Sequence, residues 1–187
     1  MANHDIAAIS RTLREDMRLS VLYNIMCSYG EEEAAVWLEN GEERTLSFTD
    51  YARMTRDYAA YLRKAVGAEE GAFVAVSMDT CKEWFPTFWG VIQAGYNALL
   101  LDLSLSDEAA NYLLRQAGAK AIVTPKARAL ADGVKWINTE GLLAAPPAPE
   151  DFTPVYGDQV ALCTSGTTGT SRVFVYNGRA VAEQVLS

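Results

Sequence analysis

Apolar and polar positions along this chain change period several times, and each change predicts a new element. Between residues 6 and about 27, Ile6, Ile9, Leu13, Met17, Val21 and Ile25 recur at steps of three and four. That is the period of one amphipathic helix with an apolar stripe for packing. Residues 34–39 and 44–48 then form two short runs around Asn40-Gly41, a dipeptide that tolerates positive φ and predicts a β-hairpin. Thr49 is placed to cap the next helix, with Asp50 in its first turn, and Tyr51, Met54, Tyr58, Leu62 and Ala65 draw a stripe that runs out at Gly67.

Residues 73–78 are a strand between Gly71 and the polar pair Asp79-Thr80. Residues 83–94 carry Trp84, Phe85, Phe88, Trp89, Val91 and Ile92 almost all round, which predicts a helix buried on most sides, with Pro86 tolerated in its first turn. After Gly95, residues 97–103 are a continuous apolar run, as in a strand covered on both faces. Ser106 caps the following helix, Asp107 and Glu108 sit at its positive end, and Gly118 ends it. Residues 120–124 form a strand closed by Pro125, and residues 134–138 a weaker one. Pro146, Pro147, Pro149 and Pro154 mark a surface connector. Strands at 160–163 and 173–176 and a short helix from Arg179 complete the chain. The alternation of strand and helix between Phe73 and Val123 predicts an α/β fold, a mostly parallel sheet flanked by helices and joined by right-handed crossovers.

Composition narrows the chemistry. A chain of 187 residues can bury roughly 70% of its unfolded surface. Its net charge of −8 disfavours nucleic acid or an anionic membrane as the main partner. Cys27, Cys81 and Cys163 are odd in number and far apart, so neither a disulfide framework nor a paired-cysteine metal site is available, and a reducing cytoplasm is the expected compartment. The single histidine, His4, removes Ser-His-Asp, Cys-His and histidine-zinc chemistry. The charged N-terminus lacks the apolar core of a signal peptide, and no window approaches the span of about 18 apolar residues that crosses a bilayer.

One stretch remains to be explained. Thr164, Ser165, Gly166, Thr167, Thr168 and Gly169 lie between the last two strands, and Arg172 follows. Glycines at 166 and 169 let successive backbone N–H groups converge on an anion, the hydroxyls add donors without bulk, and the Arg172 guanidinium can fold onto the same oxygens. Glycine, serine and threonine are also the ordinary composition of turns. The spacing matches neither of the two standard nucleotide loops, so composition and spacing leave a plain hairpin loop and a phosphate cradle both open.

The string Thr164-Ser165-Gly166-Thr167-Thr168-Gly169 is identical to the core of the phosphate-binding signature of the adenylate-forming superfamily, which includes acyl-CoA synthetases, luciferases and nonribosomal peptide adenylation domains. Further stretches resemble that family in the same order: residues 46–51, 71–78, 89–102, 108–124 and 158–162. The resemblance runs from about residue 45 to the end. It implies an enzyme that uses ATP and Mg2+ to activate a carboxylic acid as its adenylate, releases pyrophosphate, and passes the acyl group to a thiol acceptor, with coenzyme A expected. The residues carried over are Thr164, Ser165, Gly166, Thr167, Thr168, Gly169 and Arg172, as the loop that holds the β- and γ-phosphates.

Two departures accompany it. The family usually continues with Pro-Lys-Gly, where this chain has Ser171-Arg172-Val173; Arg172 keeps the charge but not the compact ammonium, and a simply solvated arginine is the alternative. Family members are also well over twice as long, and their adenine, ribose, magnesium and acyl sites and C-terminal lysine lie downstream. The expectation is therefore an incomplete N-terminal subdomain over residues 1–187, inactive as a ligase by itself and with no catalytic residue of its own. Its parts are a helix and hairpin (1–45), an alternating core (46–143), a Pro-rich connector (144–157), and a strand, loop, strand and helix start (158–187). A competing reading is a degenerate or non-catalytic member acting as a phosphate-binding or self-associating module.

Overall fold

The computed structural model of the protein describes residues 5–164 and 171–187. The single N-terminal helix predicted by periodicity is two: α1 (Ile6–Glu15) and α2 (Leu19–Cys27). Asp16 breaks it, because its carboxylate accepts from the Arg18 backbone N–H (3.2 Å) and pairs with the Arg18 guanidinium, a local competitor for helical hydrogen bonds. Apolar spacing continues across the break because each helix has its own buried leucine, Leu13 or Leu19.

The hairpin forms as its sequence predicts. Strands β1 (Glu33–Glu39) and β2 (Glu42–Ser47) pair antiparallel, with Asn40 and Gly41 at φ 55° and 82° in the turn. Helix α3 (Phe48–Val66) is capped by Ser47, not Thr49. Ser47 Oγ accepts from Asp50 N (3.1 Å) while Asp50 Oδ2 accepts from Ser47 N (3.2 Å), a reciprocal capping box. Thr49 instead donates its hydroxyl to Glu31 Oε1 (2.7 Å).

The main sheet contains β3 (Phe73–Val76), β4 (Asn97–Leu100), β5 (Ala121–Val123), β6 (Lys135–Ile137), β7 (Gln159–Thr164) and β8 (Arg172–Asn177), in the order β6-β5-β3-β4-β7-β8. Every neighbouring pair is parallel except β7–β8. Between them run α4 (Trp84–Gln93), α5 (Asp107–Ala117), the short α6 (Thr139–Leu143) and finally α7 (Gly178–Leu186). The five-residue α6, started by Asn138 accepting from Glu140 N, is too short to show a helical period in the sequence.

Alternate strand residues enter two separate cores. Val74, Val76, Ala98, Ala121, Val123 and Val160 pack with Leu62, Trp89 and Ile92 of α3 and α4, whereas Ala75, Leu99, Ile122 and Ala161 pack with Leu113 and Leu114 of α5. Helices therefore cover both faces of the central strands β3, β4 and β5, which is why their residues are apolar on both faces, Asn97 apart, rather than at every second position. Fully burying one such aliphatic side chain stabilises by about 1.5–3 kcal/mol. The Pro-rich connector lies on the surface but is held there. The Arg63 guanidinium donates to Gln93 O (2.9 Å), Ala94 O (3.2 Å) and Thr153 O (2.9 Å) and lies 4.4 Å over the Phe152 ring.

Candidate phosphate-binding site

The site begins with what fixes β7. Gly157 lies so close to the preceding strand entry that any Cβ there would collide with the Tyr96 carbonyl oxygen, and its own N–H donates to Ile92 O (2.8 Å). Asn97, buried at the start of β4, accepts through Oδ1 from Asp158 N (3.2 Å) and Gln159 N (3.0 Å), and donates through Nδ2 to Gly71 O (2.7 Å). Asp158 in turn accepts through Oδ1 from Leu19 N (2.8 Å), the first amide of α2, whose own N-cap Arg18 supplies no side-chain bond. From this anchored start β7 runs beside β4, Ala98 opposite Val160 and Leu100 opposite Leu162.

At its other end β7 reaches Thr164, which is paired across the ladder with Arg172, the first residue of β8. Both are exposed. The sheet thus brings together the two outer members of the predicted loop, and Ser165, Gly166, Thr167, Thr168 and Gly169 lie outside the described residues. Because β3, β4, β5 and β7 are mutually parallel, their carboxyl ends share one edge. α4 follows β3 on one face and α5 follows β4 on the other. In open α/β sheets such a reversal marks the carboxyl ends of the two strands, here β3 and β4, as the usual ligand position, and Thr164 stands at the end of the adjacent strand.

Three further groups, Asp102, Ser77 and Cys163, lie near the same edge. Asp102 accepts from Ser104 Oγ and Ser104 N (both 2.7 Å), and these bonds hold its carboxyl below the usual carboxylate range. Ser77 Oγ donates to Asp102 O at 3.5 Å. Cys163, beside Thr164, is half-buried, and burial pushes its thiol up, which favours an inert protonated sulfur. Among the described residues no group of three His, Cys, Asp or Glu side chains converges to hold a metal ion.

Against this geometry the comparisons are specific. A family model described as AMP-binding enzyme matches residues 27–187. The chain belongs to the AMP-binding enzyme family. Helix α1 and most of α2 precede the matched span of this family. Solved structures with the same fold include nonribosomal peptide adenylation proteins. The N-terminal subdomain of Klebsiella oxytoca NpsA, in complex with 3-hydroxybenzoyl-AMSN, is 14% identical with a TM-score of 0.73, over 87% of this chain and 41% of that one. The synthetase FmoA3 in its AMPPNP-bound form is 23% identical with a TM-score of 0.71, over 90% of this chain and 18% of that one. The artificially fused NpsA-ThdA adenylation–PCP di-domain from Klebsiella oxytoca gives a TM-score of 0.75 at 15% identity, over 88% of this chain and 33% of that one. The chain therefore spans less than half the length of each of these family neighbours. No curated protein matches it.

Of the residues that matter here, sequence reading missed Asn97 and Ser77 and gave Asp158 no role. A polar residue opening an otherwise apolar run, as Asn97 does before Ala98-Leu99-Leu100, is the signal that could have found the first.

Proposed function

We propose that this chain is the N-terminal part of an ATP-dependent acid ligase that adenylates a carboxylic acid, releases pyrophosphate and passes the acyl group to a thiol, coenzyme A being the acceptor. The observation that carries the reading is the pairing of Thr164 with Arg172 at the carboxyl edge of a parallel sheet, flanking the Thr/Ser/Gly string in a chain of the AMP-binding family. A hydroxyl and a guanidinium held at adjoining strand ends suit the oxygens of a polyphosphate, because both present donors and the guanidinium adds charge. In this reading Thr164, Ser165, Gly166, Thr167, Thr168, Gly169 and Arg172 hold the β- and γ-phosphates and leave the activated acid to residues downstream.

Adenylation in this family's chemistry needs aimed donors more than acid-base groups, and the chain offers donors at this edge. Magnesium finds no ligand cluster among the described residues, so no step is assigned to it here. The free cysteines Cys27, Cys81 and Cys163 support placing the protein in a reducing cytoplasm. Calorimetry with inorganic pyrophosphate tests the phosphate site. The 187-residue chain binds pyrophosphate and shows no acid-dependent exchange of pyrophosphate into ATP. Absence of binding up to millimolar pyrophosphate overturns the phosphate reading, and acid-dependent exchange by this chain overturns its inactivity.

A further inference from the structure

Among the described residues β8 is the outer strand of the six-stranded sheet, and one side of its backbone has no strand partner. The amide of Val173 shows which residues face outward. It donates to Gln116 Oε1 of α5 (3.3 Å), and alternation along a strand then turns the amide and carbonyl of Val175 the same way, away from β7. Proteins usually blunt such an edge with charge, proline or a bulge. Between Arg172 and Asn177 there is none: the register with β7 is unbroken, the sequence is Val173-Phe174-Val175-Tyr176, and Phe174, Val175 and Tyr176 are 44%, 50% and 42% exposed. Phe174 and Tyr176 share a face with Leu162 and Val160, their ladder partners. That face opens into a groove of about 500 Å³ whose lining is mixed, with Leu162, Tyr176 and Val181 beside Glu183 and Gln184.

We propose that β8 pairs with β8 of a second copy of this chain, antiparallel about a two-fold axis through Val175. An axis normal to the sheet keeps each face on its own side, so only residues of the same parity meet. With the axis at Val175, Phe174 of each copy falls opposite Tyr176 of the other, giving two cross-strand aromatic pairs on one face, a favoured combination. Val175 meets Val175 on the opposite face. Arg172, the one charge on the strand, falls opposite Gly178, so like charges do not confront each other. The strand is thus self-complementary, which is what singles out a second copy as its occupant. Gln116 gives up its bond to the Val173 amide when Asn177 of the other copy arrives.

Two strands with their flanking apolar side chains remove on the order of 1,000 Å² from water, the low end for a specific interface. The dimer is accordingly reversible, with dissociation in the micromolar range. It needs no nucleotide and stands or falls separately from the phosphate site.

Sedimentation velocity on the 187-residue chain, at roughly 1 to 200 μM, tests this with two variants, Val175→Lys and Val175→Pro. The wild type rises from monomer toward twice the monomer mass as concentration increases. Both variants weaken dimerisation at least tenfold with unchanged far-UV circular dichroism, since Val175 is half exposed and its amide serves no bond to β7. If the proline variant fails to fold, the lysine variant decides alone. A wild type that stays monomeric throughout overturns the proposal, and so does a dimer that persists in the folded lysine variant.

Discussion

Asn97 holds Gln159 twice: its Oδ1 accepts from the Gln159 amide at 3.0 Å and its Nδ2 donates to Gln159 Oε1 at 3.3 Å. The same side chain reaches Gly71 O and Asp158 N, so one buried amide sets the relative positions of β3, β4 and β7. Replacing it removes the partner of three part-buried backbone groups, Gly71 O, Asp158 N and Gln159 N, and a typical hydrogen bond contributes about 1 kcal/mol. Asn97→Ala is expected to lose about 3 kcal/mol in urea unfolding with an unchanged slope. A loss below about 0.5 kcal/mol, the range of ordinary surface substitutions, would sink this role.

Gly157 and Gly118 resist substitution for different reasons. At Gly157 a Cβ meets the Tyr96 backbone, which cannot retreat without moving β4. Gly118, at φ 64°, ends α5 with open space around it, so alanine there suffers only left-handed strain of about 1 kcal/mol. Gly157→Ala is expected to cost about 3 kcal/mol or more and to lower the yield of folded protein, whereas Gly118→Ala folds. Equal melting temperatures for the two variants would contradict this ordering.

Asp158 acts as the missing cap of α2 from far along the chain. Asp158→Asn keeps an acceptor at Leu19 N and is expected to be nearly silent. Asp158→Ala loses about 1 kcal/mol, the worth of a helix cap, and hydrogen exchange in the first turn of α2 accelerates. If exchange in α2 is the same in both variants, the cap is not energetically coupled to the helix.

Stability is expected to fail on the alkaline side. Burial pushes the Tyr58 hydroxyl up to about 12, and Tyr23, Tyr51, Tyr96 and Tyr156 upward as well. The folded state holds these protons more tightly than the unfolded chain, whose tyrosines titrate near 10. Their contribution is therefore intact below pH 10 and lost as pH climbs toward 12. In acid the sign reverses for Asp50, Asp102 and Asp107, held low by hydrogen bonds from Ser47, Ser104 and Ala129 respectively; their contribution is lost as pH falls through those lowered values. Tyrosinate absorbance at 295 nm should rise together with loss of ellipticity above pH 10. Ionisation of all the tyrosines near pH 10 with the fold intact would refute the assignment.

Arg172 is the residue on which the phosphate reading turns. A charge-assisted hydrogen bond contributes about 1.5–3 kcal/mol, so Arg172→Ala is expected to weaken pyrophosphate binding about ten- to hundredfold. Arg172→Lys, keeping the charge without the fork, retains part of it. Unchanged affinity in the alanine variant would assign Arg172 to solvent.

How much of this was legible beforehand depends on distance along the chain. Signals confined to a few residues were readable: Asn40-Gly41 in its turn, Ser106 and Gly118 at the two ends of α5, Gly67 at the end of α3. Even the misplaced cap was local, since Ser47 and Asp50 carry the spacing of a capping box that Thr49 obscured. The split between α1 and α2 was hidden because apolar periodicity records which side is buried and not where hydrogen bonding stops. At the candidate site the family-like string and its flanking strands were visible, but the pairing of Thr164 with Arg172 was not, because both strands run one residue further toward the loop than their apolar runs at 160–163 and 173–176. The supports of β7 were not, because Asn97 and Asp158 act on residues 62 and 139 positions away, and no local pattern encodes a partner that distant.

The bond from Leu19 N to Asp158 also bears on the order of events in synthesis. An N-terminal helix that needs a carboxylate 139 residues later, and a strand β7 that inserts next to β4 only after β5 and β6 have been made, give the fold many distant contacts, and such folds form slowly. While the ribosome extends the chain at about 5–20 residues per second, α2 waits on the order of ten seconds for its cap. Once β4 has been made, its flank stays bare until β7 follows, Gln159 coming 62 residues after Asn97, and in that later part of the interval the nascent chain exposes an unpaired strand edge to chaperones.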